Sequence, residues 1–278
     1  MSRSPTRDRY AGNVVWATFV RSWTMNRRAY PWTYFTSTVL AGALTISLAY
    51  LAFHAVGGSA VNAEFAQRAG SADYVGYVAV GALAYAFMVR MLLWTAKALI
   101  TEEREGTIAA LAVAPAHRLP YLMGFSLFAV ASTGLEVAAL SGFALLLGVQ
   151  LPVPSLLNLA LVLLILTIAV FSLSLVVSAV MLYAGEAHIT QNTVFLLLGL
   201  ICGFTFPRSY LPDLLRWLAE LVPITAALDV ARPLLNGAID AAELTPRLAV
   251  ALGVSVIYLI AGFWLLPRAE SRAIERSF

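Results

Sequence analysis

Six stretches of this chain are apolar over roughly the length of a membrane crossing: 32–56, 74–98, 120–149, 156–183, 191–206 and 247–266. A hydrocarbon core about 30 Å thick needs about 20 such residues in a helix. The fifth stretch is short and stops at Phe206-Pro207, and a long mixed segment follows from 207 to 246. Ahead of the first stretch lies VVWATFVRSWTMNRR. Its Val15, Trp16, Phe19, Val20 and Trp23 recur at helical spacing, with Arg21, Arg27 and Arg28 toward the far side and end. That pattern predicts a helix lying in the membrane interface, Trp at headgroup level and Arg toward anionic lipid. The first apolar run is too long for a signal-peptide core of roughly 7–15 residues, so it reads as a retained span.

Composition strengthens the picture. The chain is 60% hydrophobic and 12% charged, with a mean hydropathy of +0.82. Soluble domains carry roughly 25% charged residues, so too few are present to cover a water-facing surface. The single cysteine, Cys202, excludes an intramolecular disulfide and a cysteine-based zinc cluster. Arg and Lys crowd the segment before the first span, the loop between spans two and three, and the tail (Arg268, Arg272, Arg276). The positive-inside rule therefore puts both termini and that loop in the cytoplasm.

The loop has a readable local grammar. Glu102-Glu103-Arg104-Glu105 leaves the apolar run, and Gly106 suits the positive φ that ends many helices. Thr107 can cap a new short helix, with Ile108, Leu111 and Ala112 on one face and Pro115 as its stop. A helix that short is marginal in water, so its apolar face needs a partner. In the late mixed segment, Pro212 suits a helix start, and Asp213, Arg216 and Glu220 share a face and can pair. Pro223 breaks that helix, and a second is expected from Ala226 to Leu235, interrupted by Pro233 and closed by Gly237.

The charged run with Gly106-Thr107, and Pro115 eight residues after Thr107, resembles the E-x-x-x-G-T…P pattern of ABC-2 type permeases. A second match lies in 203–237, where Gly203, Phe206, Pro207, Leu211, Pro212, Pro223 and Arg232 resemble that family's late signature. The resemblance implies an all-α integral membrane fold of the type V exporter kind. It has six transmembrane helices, an N-terminal interfacial helix and short re-entrant outer helices before the last span. The whole chain would form one transmembrane domain: an interfacial helix in 1–31, the bundle in 32–266 and a cytoplasmic tail in 267–278. It further implies that Glu102, Glu103, Arg104, Glu105, Gly106, Thr107, Ile108, Leu111 and Pro115 couple to a separate ABC ATPase subunit. The late signature would form an outer gate.

Absences bear on chemistry. There is no G-x-x-x-x-G-K-[ST] phosphate loop, and the only lysine, Lys97, has no glycine-rich stretch before it. The chain is therefore expected to be no enzyme and to bind no cofactor directly, with ATP and Mg on the partner ATPase. His54, His117 and His188 are scattered and form no metal motif. Arg90 and Glu136 lie inside spans, where a charge costs several kcal/mol and marks function or a partner. Their depths differ by about 10 Å at 1.5 Å per residue. Ser172, Ser174 and Ser178, with Thr36, Ser37 and Thr38, suit close helix contact and interhelical hydrogen bonds. The expected role is the membrane-spanning subunit of an exporter in the plasma membrane, moving drug-like or lipid-like amphiphiles outward. Its partners would be the ATPase, a second permease (identical or paralogous) and membrane lipid, with no nucleic acid. The competing reading is a stand-alone, proton-coupled transporter using Glu136.

Overall fold

A computed structural model describes residues 5–29, 33–55, 65, 73–108, 111, 118–237 and 239–276. Among them the chain forms nine α-helices: α1 (Pro5–Ala29), α2 (Thr33–Ala55), α3 (Tyr74–Arg104), α4 (Arg118–Leu146), α5 (Leu156–Ala184), α6 (His188–Ile201), α7 (Asp213–Glu220), α8 (Pro223–Asn236) and α9 (Ala241–Arg276). A 3-10 turn, Arg208–Tyr210, precedes α7. Local chemistry accounts for the ends. The Asp73 carboxylate accepts from the Gly76 amide (2.9 Å) to start α3, and Ser155 accepts from the Asn158 amide (3.1 Å) to start α5. Gly185 (φ 72°) and Gly237 (φ 64°) close α5 and α8 in the left-handed region. Pro223 opens α8 at its first turn, where the missing amide hydrogen has no helical partner to lose.

Among the described residues, five helices are long and apolar enough to cross a membrane: Phe35–Ala55, Tyr74–Arg104, Arg118–Leu146, Leu156–Ala184 and Ala242–Arg276. The fifth sequence-predicted span is shorter than expected. α6 has 14 residues, about 21 Å of helix at 1.5 Å per residue. It stops because Gly203, at φ 77°, turns the chain just beyond it. Conversely, α3 and α9 outrun the predicted spans. The charged run continues α3 to Arg104, and α9 carries Pro246 and Pro267 inside one helix.

α5 is the hub of the bundle and packs against α9, α3 and α8; α3 in turn packs against α4 and α2. Small residues set the closest approaches. A Cβ on Gly262 of α9 would lie 2.5 Å from Leu175 Cβ of α5. The serines of α5 contribute by size, not by interhelical bonding: Ser172 donates to Ala169 O (2.8 Å) and Ser174 to Val170 O (2.7 Å) within their own helix. An interhelical hydroxyl contact does join α3 and α4, Thr95 to Ser126 at 3.0 Å. The outside of the bundle is apolar. Leu40, Leu44, Leu48 and Leu51 of α2 and Val256, Ile257 and Ile260 of α9 are exposed. That inversion of the soluble pattern suits hydrocarbon as solvent.

α1 lies along α4 through its small residues and keeps part of its apolar stripe outside. Thr18 and Ser22 are buried, whereas Trp16 and Val20 are exposed. The cause is Gly124 of α4, where a Cβ would meet Thr18 Cβ at 2.6 Å and Val15 O at 2.7 Å. Close backbone approach selects small residues for the contact and leaves the large ones outside. Trp23 still reaches inward, edge-on to Phe128 (centroids 6.1 Å apart). Gly124→Val is expected to pry α1 from α4 and destabilise the protein by about 1–3 kcal/mol. The check is a lowered thermal midpoint in detergent together with faster proteolysis of α1.

Candidate functional site

Charged residues collect at two ends of the bundle and at one point between. At the first end, α3 finishes in the charged run. The Thr107 amide donates to Glu102 O (2.8 Å) and the Gly106 amide to Glu103 O (3.1 Å). With Gly106 at φ 72°, this is a Schellman termination. The Thr107 hydroxyl donates back to the Glu102 carboxylate and to Glu102 O (3.2 Å), and the amides it would cap lie outside the described residues. The Leu111 amide donates to Thr107 O (3.0 Å), which begins the next turn. Ile108, expected to seek an outside partner, is buried in this chain's own core. Pro115, Ala112 and His117 lie outside the described residues.

Glu102, Glu103 and Arg104 together grip four elements. Glu102, buried, pairs with Arg21 of α1 (3.1 Å) and accepts from Tyr121 Oη of α4 (2.6 Å). Glu103 pairs with Arg276 of α9 (3.0 Å), and Arg104 with Glu186 of the α5–α6 turn (3.5 Å). The His188 amide donates to Glu186 (2.9 Å) and, with Arg104 nearby, holds that carboxyl below the usual carboxylate range. Nearby, Arg118 of α4 pairs with Glu270 of α9 (2.9 Å). Glu105, Gly106, the outer side of Thr107 and the flank of Arg104 are left on the surface, and a Cβ on Gly106 would meet nothing within 4 Å.

At the opposite end, Arg232 of α8 organises the turn after α6. Its Nη2 donates to Gly203 O (2.7 Å) and Phe204 O (3.0 Å), and its guanidinium lies 3.4 Å from the Tyr77 ring centroid. Tyr77 Oη also donates to Gly203 O (3.1 Å). A Cβ on Gly81 would come 1.7 Å from Phe204 O, so α3 admits this turn only because residue 81 lacks one. Arg208 pairs with Asp229 (2.5 Å). Pro207 precedes the 3-10 turn, Leu211 follows it buried, and Pro212 caps α7. Phe206, half-buried, lies between Gly203 and that turn. The two short helices differ. α8 is buried against α5 and α9, while α7 exposes Leu214, Trp217 and Leu221. Asp213 and Arg216 pair on α7, as their spacing predicts.

Between the ends, Arg90 and Glu136 meet despite the depth difference inferred from sequence. Arg90 Nε donates to Glu136 Oε2 (3.1 Å) and Nη2 to Oε1. Nη2 also reaches Thr38 Oγ1 of α2 (3.1 Å). Both charged side chains are only 3% exposed. Thr38 faces a second feature as well, a cavity of about 330 Å³ between α2, α3 and α6 whose wall includes Ser37, Tyr85, Val89, Gly199 and Phe204. Its volume falls in the range of small-molecule sites.

The family model described as ABC-2 type transporter matches residues 13–235, most of this geometry included. The chain belongs to the ABC-2 type transporter family. No curated protein sequence matches it. As an ABC-2 permease it is a membrane component of transport. The match stops before α9, so the contacts that Glu270 and Arg276 make are features of this chain that the family match does not cover.

In this ABC-2 permease the late-signature residues Gly203, Pro207 and Arg232 come together around one turn, while Pro212 and Pro223 set the starts of the two helices beyond it. Tyr77, Gly81 and Asp229 join them but carry no sequence signal, since Tyr77 and Gly203 stand 126 residues apart. Arg90 and Glu136 yield a stability prediction. Removing one partner strands a buried charge, so Glu136→Leu is expected to cost about 3–5 kcal/mol, whereas the double replacement Arg90→Met/Glu136→Leu recovers to within about 1 kcal/mol. Thermal unfolding of the three purified variants in one detergent measures both.

Proposed function

We propose that this ABC-2 permease is the membrane-spanning subunit of an ATP-driven exporter in the plasma membrane, with the charged end and both termini in the cytoplasm. Two permeases, identical or paralogous, face each other, and two separate ABC ATPase subunits bind beneath them. ATP and Mg sit on those subunits. The turn at Glu105-Gly106-Thr107 is the docking tip. α6 and the turn after it make the sixth crossing together, and α7 and α8 embed partway as the outer gate. The substrate is an amphiphile, drug-like or lipid-like. The cavity beside Thr38 supports this: its wall is mostly apolar, with hydroxyls of Ser37, Thr38, Thr45 and Thr205 as its polar handles.

One observation carries the reading: Glu102, Glu103 and Arg104 are clamped to α1, α9 and the α5–α6 turn, while the tip beyond them is open. A tip so mounted can pass displacement to several helices at once. Coupling also requires that the motor contact two conformations differently; attachment alone shifts nothing. The proton-coupled alternative has less support, because both Glu136 oxygens are already engaged by Arg90.

Replacing Glu105-Gly106-Thr107 by Ala-Val-Ala should leave membrane insertion intact and lower export of an amphipathic fluorescent dye at least tenfold, about 1.4 kcal/mol or more of coupling. ATP hydrolysis by the partner should continue. Undiminished ATP-dependent export after this replacement would overturn the docking-tip reading.

A further inference from the structure

We propose that Arg276, on the last turn of α9, is a positioning residue for coupling, joining the docking loop to the ends of α5 and α9. This rests on the exporter reading above and extends it to a helix outside the family match. Arg276 Nη2 pairs with Glu103 Oε1 (3.0 Å) and donates to Leu182 O, and Nη1 donates to Tyr183 O (3.3 Å). Leu182 and Tyr183 lie in the final turn of α5, whose last carbonyls have no helical donor. Those carbonyls carry the partial negative charge of the helix end. One guanidinium thus answers two negative partners, the α5 terminus and the loop carboxylate. Gly185 makes room for it: a Cβ there would come 2.7 Å from Arg276 Nη1. The tail is seated, with Ala269 and Ala273 buried and Arg272 stacked 4.1 Å from the Tyr183 ring centroid.

The electrostatic consequence concerns Glu103. Without Arg276, its carboxylate faces the negative end of α5 with nothing between, and the foot of α3 is repelled from α5 instead of held to it. The mechanical consequence concerns the far end. α8 packs against both α5 and α9, and Arg232 of α8 holds the Gly203–Phe204 turn. A displacement at the loop therefore reaches that turn through Arg276, the α5–α9 pair and α8. Glu102 and Arg104 hold α1, α4 and the α5–α6 turn, and α3 itself meets the far turn through Tyr77 and Gly81; the Arg276 contact adds the route through α9 and α8.

The test uses the complex of permease and ATPase in phospholipid nanodiscs, with Cys202→Ser and Asp213→Cys leaving one thiol at the α7 end. The probe is a maleimide, and the readout is its labelling rate with and without ATP plus vanadate. In this reference complex nucleotide should change the rate about fivefold or more. Arg276→Ala should sharply reduce that change while the ATPase subunit still co-purifies and hydrolyses ATP. Glu103→Gln, which leaves Arg276 on the α5 carbonyls, should give an intermediate response, and the double variant should be no worse than Arg276→Ala alone, as expected of one shared contact. Arg276→Lys should restore part of the response. Arg272→Ala, which removes the stack on the Tyr183 ring and leaves the donors of Arg276 in place, should keep all of it. A full response in Arg276→Ala overturns the inference, and so does an equal loss in Arg272→Ala. Should Arg276→Ala fail to assemble, an unchanged response in Glu103→Gln overturns it instead. If no ATPase co-purifies, or the reference itself ignores nucleotide, the exporter reading falls and this inference falls with it.

Discussion

A helix turns about 100° per residue, so three consecutive charged side chains leave it in three directions. At the foot of α3 that geometry sends Glu102 toward α1 and α4, Glu103 toward α9 and Arg104 toward the α5–α6 turn. Each direction meets an opposite charge or a hydroxyl. The run is thus set within the bundle before it is available to anything outside. Had the three been placed at i, i+4 and i+7, they would have formed one solvated stripe and bound a single neighbour. Consecutive placement is what makes the foot of one helix a junction of several, and the Schellman turn after it releases the chain cleanly, with Gly106 bearing the left-handed conformation.

The same physics recurs wherever backbone carbonyls lose their helical donors. Arg276 answers the end of α5, and Arg232 answers Gly203 and Phe204 beyond α6. Guanidinium suits this work because it offers several donors in a fixed plane and can stack at the same time. Arg232 over Tyr77 and Arg268 over Trp264 (3.8 Å) both do so. With a single lysine, the chain leaves nearly all its positive charge on a side chain that organises backbone ends.

Much of the architecture is legible in the sequence because the bilayer imposes it. Apolar length locates α2, α3, α4, α5 and α9, and Gly106, Pro223 and Gly237 mark turns or helix starts through their own backbone limits. What is not legible depends on three-dimensional neighbours. The buried face of α1 is chosen by Gly124, which no property of α1 reveals; part of the apolar stripe is left outside. The length of α6 is set by the turn at Gly203, although apolar residues continue to Phe206. The hydroxyls of Ser172 and Ser174 suggest interhelical bonds by residue type alone, yet each bonds one turn back in its own helix. The charge clusters divide in the same way. The run at Glu102 is conspicuous, but its partner Arg276 is 173 positions from Glu103 and indistinguishable in sequence from any tail arginine.

The buried pair of Arg90 and Glu136 differs from the clamps at the ends because no water can screen it. A lone charge at that depth is costly, but a bidentate pair presents almost no net field to its surroundings. Thr38 accepts from Nη2 of Arg90 and also forms part of the cavity wall. The charge is therefore cancelled before it reaches the cavity, and what the cavity meets is a hydroxyl on α2. A site with a bare arginine would select anions and hold them. One lined by aliphatic and aromatic carbon with a few hydroxyls suits an uncharged or weakly polar molecule. Arg90 thus fixes α2 against α3 and α4 without placing a net charge at the cavity, so the strut and the apolar character of the cavity come from a single arrangement of three side chains.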